Sequence, residues 1–400
     1  MWIEANIAFK FLRQGRIQTA LILVGVAVGV AVIVFVVALI NGLQGNIIER
    51  TLGTQSHIRV QPPEEVNLRP SAPGSTIELL NEDKRPQRLR SINNWLEVQA
   101  ALDGLPGLKA VSPMASGPGF ARRGEVLRSV SLMGIDPARY ERIIPIRDDI
   151  VEGEFRVGAG DAVIGKQLAD ELGVKAGNKL RLEAGQGRDA IVNVAGIFEL
   201  GVRELDARFV YLDLTQAQAL LALPGGVTQI DVTVNDIFAA DVSSARIARL
   251  TGLKSESWME TNAQLMNALS SQSISTNIIS LMVALSVAFG IASVLAVSVT
   301  QRTREIGILR AIGTTRRQML GVFLLQGGLV GLVGSAIGGF AAYALVWLFN
   351  TIGPGLFYIP IGPVLIPASM ALATVTGVLS AMAPAWRASR LDPVVAIRYV

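Results

Sequence analysis

The sequence contains no cysteine and one histidine, His57. Without thiols, neither a disulfide framework nor a thiolate metal site can form. One imidazole cannot build a histidine-rich metal site or a histidine pair, so His57, in SHIRVQ, reads as a polar residue opening a strand. Charge is also scarce. Asp, Glu, Lys and Arg make up 17% of the 400 residues and hydrophobic residues 50%, against about 25% charged in an average soluble domain. Residues 20–40 (ALILVGVAVGVAVIVFVVALI), residues 274–299 and Gln318–Trp386 carry no charge at all. Carriers driven by ions or protons bury ionisable groups near mid-membrane. None lies in these stretches, which argues against ion-coupled transport.

The sequence does have apolar runs long enough to span a bilayer, at about 20 residues per helix. The first exceeds the 7–15-residue apolar core of a signal peptide. The last is long enough for two spans, broken by NTIGPGLFYIPIGP. The expected organisation is an interfacial helix over 1–19, spans at 20–41, 274–299, 319–349 and 364–385, a turn at 350–363 and a tail from 386 to 400. The fold class is an α-helical membrane protein of four transmembrane helices. A large mixed α/β domain over 42–273 separates helices 1 and 2.

Basic residues orient such a chain. Lys10, Arg13 and Arg16 precede the first span; Arg302, Arg304, Arg310, Arg316 and Arg317 lie between spans 2 and 3; Arg387, Arg390 and Arg398 follow the last. With Glu4, Glu305 and Asp392 counted, these segments carry +8, whereas the whole chain carries +4, leaving −4 for the large domain. The basic segments are therefore expected in the cytoplasm, with both termini, and the α/β domain outside the inner membrane. The sequence pI of about 9.5 is then a topology signal and points to no nucleic-acid partner.

Inside the domain, Tyr211–Leu214 and QIDVTV (229–234) read as strands, the latter alternating as a half-buried strand does. Residues 238–250 read as a helix, and the Pro- and charge-rich 61–90 as a loop. GDAVIGKQ (160–167) nearly matches a phosphate-binding loop, but Gln167 stands where a magnesium-binding hydroxyl belongs. Asp161 would repel phosphate, and Val163 and Ile164 favour a strand. It reads as strand, turn and helix, with Gly173 closing the helix.

Two features of the membrane part carry more information. In LLQGGLVGLVGSAIGGF, the small residues Gly327, Gly331, Gly334, Ser335 and Gly338 include several pairs four apart, which lets helices pack closely. In QRTREIGILRAIGTTRRQ (301–318), Gly313 suits a C-cap and Thr315…Gln318 a capping box. Between them lies a short helix with Ile306 and Leu309 on one stripe and Arg302, Glu305 and Arg310 nearby, a pattern suited to docking in a protein groove.

REIGILRAIGTTRRQ, the helix before it and FLLQGGLVGLVG resemble the permeases of MacB/FtsX-type ABC transporters. GVAVGVAVIVFVVALINGLQG, SHIRV, WMETNAQLMNAL and PAWRASRLDPVVAIRY are similar to one branch, the permeases of the lipoprotein-releasing (Lol) system. LMGIDP, VIGKQLADELGVKAGNKLRL and VAGIFELG resemble the outer domain of the wider family. The resemblance implies a non-catalytic subunit that pairs with a second copy or paralogue. ATP and magnesium would be held by a cytoplasmic ABC ATPase dimer docked on the 301–318 segment. Arg302, Arg304, Glu305, Ile306, Leu309, Arg310, Gly313, Arg316 and Arg317 would form that dock. An apolar cleft for lipoprotein acyl chains would lie near Phe35, Leu39, Leu43, Ile278 and Met282. The turn EAGQGRD (183–189) is shorter than in the chaperone-recruiting member and 61–90 is longer. Three readings follow: release of lipoproteins, with or without a periplasmic chaperone; export of peptides, drugs or lipids through a periplasmic adaptor; and a signalling subunit for a cell-wall hydrolase. No nucleophile–base set supports an enzyme.

Overall fold

The computed structural model describes residues 2–63, 89–353, 355 and 357–392. Most of the expected 61–90 loop, the end of the tail, Pro354 and Leu356 lie outside these residues. In chain order, helices α1 (Trp2–Gln14) and α2 (Arg16–Leu52) precede strand β1 (Ile58–Gln61), α3 (Trp95–Asp103), β2 (Leu108–Arg123) and β3 (Val126–Ile135). Then come α4 (Pro137–Tyr140), β4 (Ile150–Gly153), β5 (Asp161–Gly165), α5 (Lys166–Leu172), β6 (Lys179–Ala184), β7 (Asp189–Phe198), α6 (Arg203–Asp206), β8 (Phe209–Asp213) and α7 (Leu214–Leu220). Strand β9 (Gln229–Val234), α8 (Ala240–Thr251), β10 (Lys254–Ser257) and α9 (Trp258–Thr261) complete the domain. Helices α10 (Ala263–Gln301), α11 (Thr303–Ala311), α12 (Arg316–Ile352) and α13 (Leu365–Ser389) follow.

Residues Met1–Ile48 and Asn267–Val400 form one unit, Glu49–Met266 the other. In the first, α2, α10, α12 and α13 are each long and apolar enough to cross a membrane. Helices α2 and α10 run past the apolar stretches, because the polar sequence flanking them contains no breaker before Gly53 or after Asn262. At about 1.5 Å per residue each exceeds 50 Å. Close packing of backbones holds this unit together. A methyl group at Gly327 would lie 2.4 Å from the carbonyl oxygen of Gly377 on α13, and one at Gly338 would lie 2.5 Å from that of Ala27 on α2. The small-residue face thus divides, Gly327 and Gly331 toward α13 and Gly334 and Gly338 toward α2, with Ser335 fully buried beside them. Asn350 pins the turn after α12. Its Nδ2 donates to the Ile359 carbonyl at 3.1 Å, and its Oδ1 accepts from the Ile359 amide at 3.0 Å.

The second unit is built on a ten-stranded sheet. Strand β2 pairs β3, then β8, β5, β7 and β6 follow, and β6 pairs back to β2. This circuit is closed, so its strands have no free edge, and Leu132, Ile164, Leu182, Val194 and Leu212 fill its core. The first half of β2 leaves the circuit to pair with β9, which continues to β1 and β10. In the chain β1 follows α2, and β10 precedes α10 with only the one-turn α9 between, and the two strands pair antiparallel with Ile58 opposite Ser257. Ser257 and Glu260 make a reciprocal capping box at α9.

Two sequence-based expectations change here. Leu214 is the first residue of α7, capped by Asp213, so the strand expected at 211–214 is β8 at Phe209–Asp213. Strand β9 is buried on both faces rather than one, and its polar side chains are sealed in as well. Asp231 accepts from Ser56 Oγ at 2.8 Å and from Gln229 Nε2 at 3.1 Å, and burial pushes its carboxyl above the ordinary range. The alternation of QIDVTV is real, but its polar face meets partners instead of water.

Candidate functional site

Helix α11 is closed at its C-terminal end, and set apart from α12, by local chemistry. Gly313 takes φ +113°, where an L side chain would be strained. The Gly313 amide donates to the Arg310 carbonyl and the Thr314 amide to that of Leu309, both at 3.1 Å. That pair of bonds is a Schellman C-cap. Two residues on, the Thr315 amide donates to Gln318 Oε1 at 3.0 Å and the Gln318 amide to Thr315 Oγ1 at 3.3 Å. The capping box opens α12, so α11 cannot merge into it. The outcome is a short rigid helix between two long ones.

The two faces of this helix differ from the sequence-based expectation. Ile306 is fully buried and Leu309 packs beside it, in a cluster with Phe11 of α1, Val299 of α10, Phe323 of α12 and Ala388 of α13. The apolar stripe expected to enter a partner's groove is occupied by this chain's own helices. The solvent face carries Arg304, Glu305, Ile308 and Ile312 instead, with Arg316 and Arg317 just beyond. Ile312 is 79% exposed. Sequence reasoning passed over Ile308 and Ile312. Their signal was the four-residue spacing of two isoleucines on the face opposite the first stripe.

Arg302 and Arg310 also point inward. Arg302 Nη2 donates to the Phe11 carbonyl at 2.9 Å and Nη1 to Gln14 Oε1 at 3.2 Å. Its guanidinium lies 4.8 Å from the Phe11 ring centroid. Arg310 Nη1 donates to the Leu391 carbonyl. Gly313 stays exposed as the cap.

The residues expected to line a cleft do not come together. Phe35 and Leu39 pack on Ala38, Val346 and Ile359, under the turn that follows α12. Ile278 and Met282 sit on the exposed face of α10, and Leu43 is half-buried. A shallow apolar crevice, too small for more than a water-sized group, lies elsewhere in the bundle, between α2, α10 and α13, with Gly29, Ile33, Val287 and Leu372 in its walls.

GDAVIGKQ is β5 running into α5, which Gly173 closes in the left-handed conformation. Gly160 turns the chain at φ +86°. Gly165 is needed because a methyl group there would lie 2.1 Å from the Asp206 carbonyl oxygen. Lys166 pairs with Glu199 at 2.7 Å. Gly160 therefore serves the turn and Gly165 the packing, and the lysine meets a carboxylate. His57 Nδ1 accepts from the Val234 amide at 3.1 Å, which requires an unprotonated Nδ1, and burial holds the imidazole below its ordinary range. No group of His, Cys, Asp or Glu suited to a metal ion occurs among the described residues.

Four spanning helices, an α/β domain inserted between the first two and a capped helix between the second and third define a permease architecture. Family models agree. Residues 19–250 match the MacB-like periplasmic core domain and residues 277–393 the FtsX-like permease C-terminal region. The chain belongs to the MacB/FtsX-type permeases of ABC transporters. It is 27% identical to the lipoprotein-releasing system transmembrane protein LolC of Xylella fastidiosa, with 99% of both chains covered. It is 23% identical to LolC of Neisseria meningitidis over the same shares. To the macrolide export ATP-binding/permease protein MacB of a Shewanella species it is 27% identical, covering 96% of this chain and 58% of that one. The periplasmic region of MacB from Actinobacillus actinomycetemcomitans aligns with 55% of this chain and 95% of that one, at 12% identity and a TM-score of 0.36.

Proposed function

We propose that this chain is the membrane subunit of an ATP-driven machine that releases lipoproteins from the inner membrane. A separate cytoplasmic ABC ATPase dimer binds ATP and magnesium and docks on the outward face of α11. The termini lie with α11 in the cytoplasm, the α/β domain in the periplasm, and a second copy or paralogue completes the membrane part. The supporting observation is the face itself: Arg304, Glu305, Ile308 and Ile312 stand clear of the bundle on a short helix that Gly313 closes and the capping box of α12 keeps separate. The motion passes along α2 into β1 and along α10, through α9, into β10, and those two strands are paired. No polar cargo path through the spans is required.

Alignment with LolC over 99% of both chains supports lipoproteins as the cargo, and acyl chains need only apolar helix surface, which the spans offer. Similarity to MacB favours a second reading, export of peptides, drugs or lipids with a periplasmic adaptor. Depletion of the protein followed by membrane fractionation separates the two. Lipoproteins retained in the inner membrane are expected; normal sorting would favour export.

A further inference from the structure

Helix α1 ends at Gln14, and like any helix it leaves its last carbonyls without partners along its own axis. Thr19 Oγ1 takes that of Leu12 at 2.9 Å. Arg302, the residue that opens α11, gives a second bond to that of Phe11, which also accepts a longer one from the Gly15 amide at 3.3 Å, and stacks on the same residue's ring. The gap that admits it is Gly15, where a methyl group would lie 3.2 Å from Arg302 Nη2. At the other end of α11, Arg310 takes the carbonyl of Leu391, two residues past the end of α13. Each arginine thus places a cation at the negative end of a neighbouring helix, where charge and hydrogen bond reinforce one another. Ile306, Leu309 and Leu391 pack in the apolar cluster beside them, which limits screening by salt.

We infer that Arg302 and Arg310 are positioning residues. They staple α11 at both ends, so that α1, α11 and the end of α13 move as one body when the ATPase moves. The inference rests on the proposed docking face. Without the staple a docked ATPase would rock α11 against the bundle, and the stroke would dissipate before reaching α2 and α10. The arginines of this segment then divide their labour: Arg302 and Arg310 face inward to transmit, and Arg304 faces outward to dock.

The test uses the full chain in nanodiscs with the ABC ATPase subunit of the same organism's lipoprotein-releasing system. Hydrogen exchange is compared with and without MgATP and vanadate. In the unaltered complex, nucleotide should change exchange in β1 and β10. The double variant R302Q/R310Q should keep the ATPase bound and the same thermal unfolding midpoint, yet lose that response. R302K, which retains one bond to the Phe11 carbonyl, should recover part of it. Thr19→Val removes a cap of α1 without touching α11 and should respond as the unaltered chain does. A full response in R302Q/R310Q overturns the staple. So does an equal loss in T19V, which would reduce Arg302 to a helix cap, or an unaltered complex whose β1 and β10 ignore nucleotide. Glu305→Lys is read separately by co-purification. If it keeps the ATPase, the docking face and the staple fall together; if it loses the ATPase while R302Q/R310Q responds fully, only the staple falls.

Discussion

The bundle and the α/β domain are held together by different means. Between the bundle's helices, contact is made where side chains are missing: Gly327 meets the backbone of Gly377, and Gly338 that of Ala27. In the domain, contact is made where side chains are large, around Leu132 and Ile164 inside a closed strand circuit, with Asp231 and Gln229 sealed beside it. Lipid offers no hydrophobic drive between helices, so close backbone approach does the work. Water supplies that drive to the domain. The bundle should therefore fail by addition of atoms and the domain by their removal.

The largest effect is expected for Leu132→Ala, which leaves a void in the closed circuit and should cost about 2–5 kcal/mol. Hydrogen exchange of the full chain should show faster exchange in the domain with the bundle unchanged. Gly327→Leu reverses the pattern. Overpacking against α13 should cost about 1–3 kcal/mol and loosen α12 and α13 alone. Gly290 on α10 has open space around it, so Gly290→Ala is its control and should stabilise by about 0.5–1 kcal/mol through helix propensity.

The smallest effect concerns pH, and only the domain should show it. Burial lowers the His57 pKa from the ordinary 6.5. The unfolded chain therefore takes up the proton first, and the stability linked to neutral His57 is present above 6.5 and lost as pH falls toward the depressed folded value. Asp231 acts in the opposite sense. Its pKa is raised from 3.8 by burial, so its contribution grows as pH falls through the raised folded value and is complete below 3.8. Mild acid should first weaken the β1–β9 junction, and His57→Gln should abolish that first loss. The spans carry no Asp, Glu, Lys, Arg or His, and their exchange, corrected for intrinsic rate, should stay flat.

Much of this was legible in the sequence because it is written locally. Apolar runs mark the spans, Gly313 and the Thr315–Gln318 pair mark the caps, and β9 begins and ends where QIDVTV does. GDAVIGKQ gave strand, turn and helix from its β-branched residues alone. What could not be read depends on partners distant in the chain. Nothing near Ile306 indicates that α1, α12 and α13 cover it, so the stripe that looked free is interior and the free face is the other one. Nothing near Phe35 shows that the turn at Ile359 closes over it, which is why the expected cleft residues scatter. The two inward arginines were read as orienting charge and as part of the dock, and their carbonyl partners lie at Phe11 and Leu391, far away in sequence.

The most direct test of the outward face of α11 is a photo-crosslinking side chain placed at Ile312, with exposed Ile352 at the far end of α12 as the control. Cross-linking to the ABC ATPase subunit from position 312 and none from 352 is the expected result. Absence of a cross-link at 312 in a complex that still hydrolyses ATP would contradict docking on this helix.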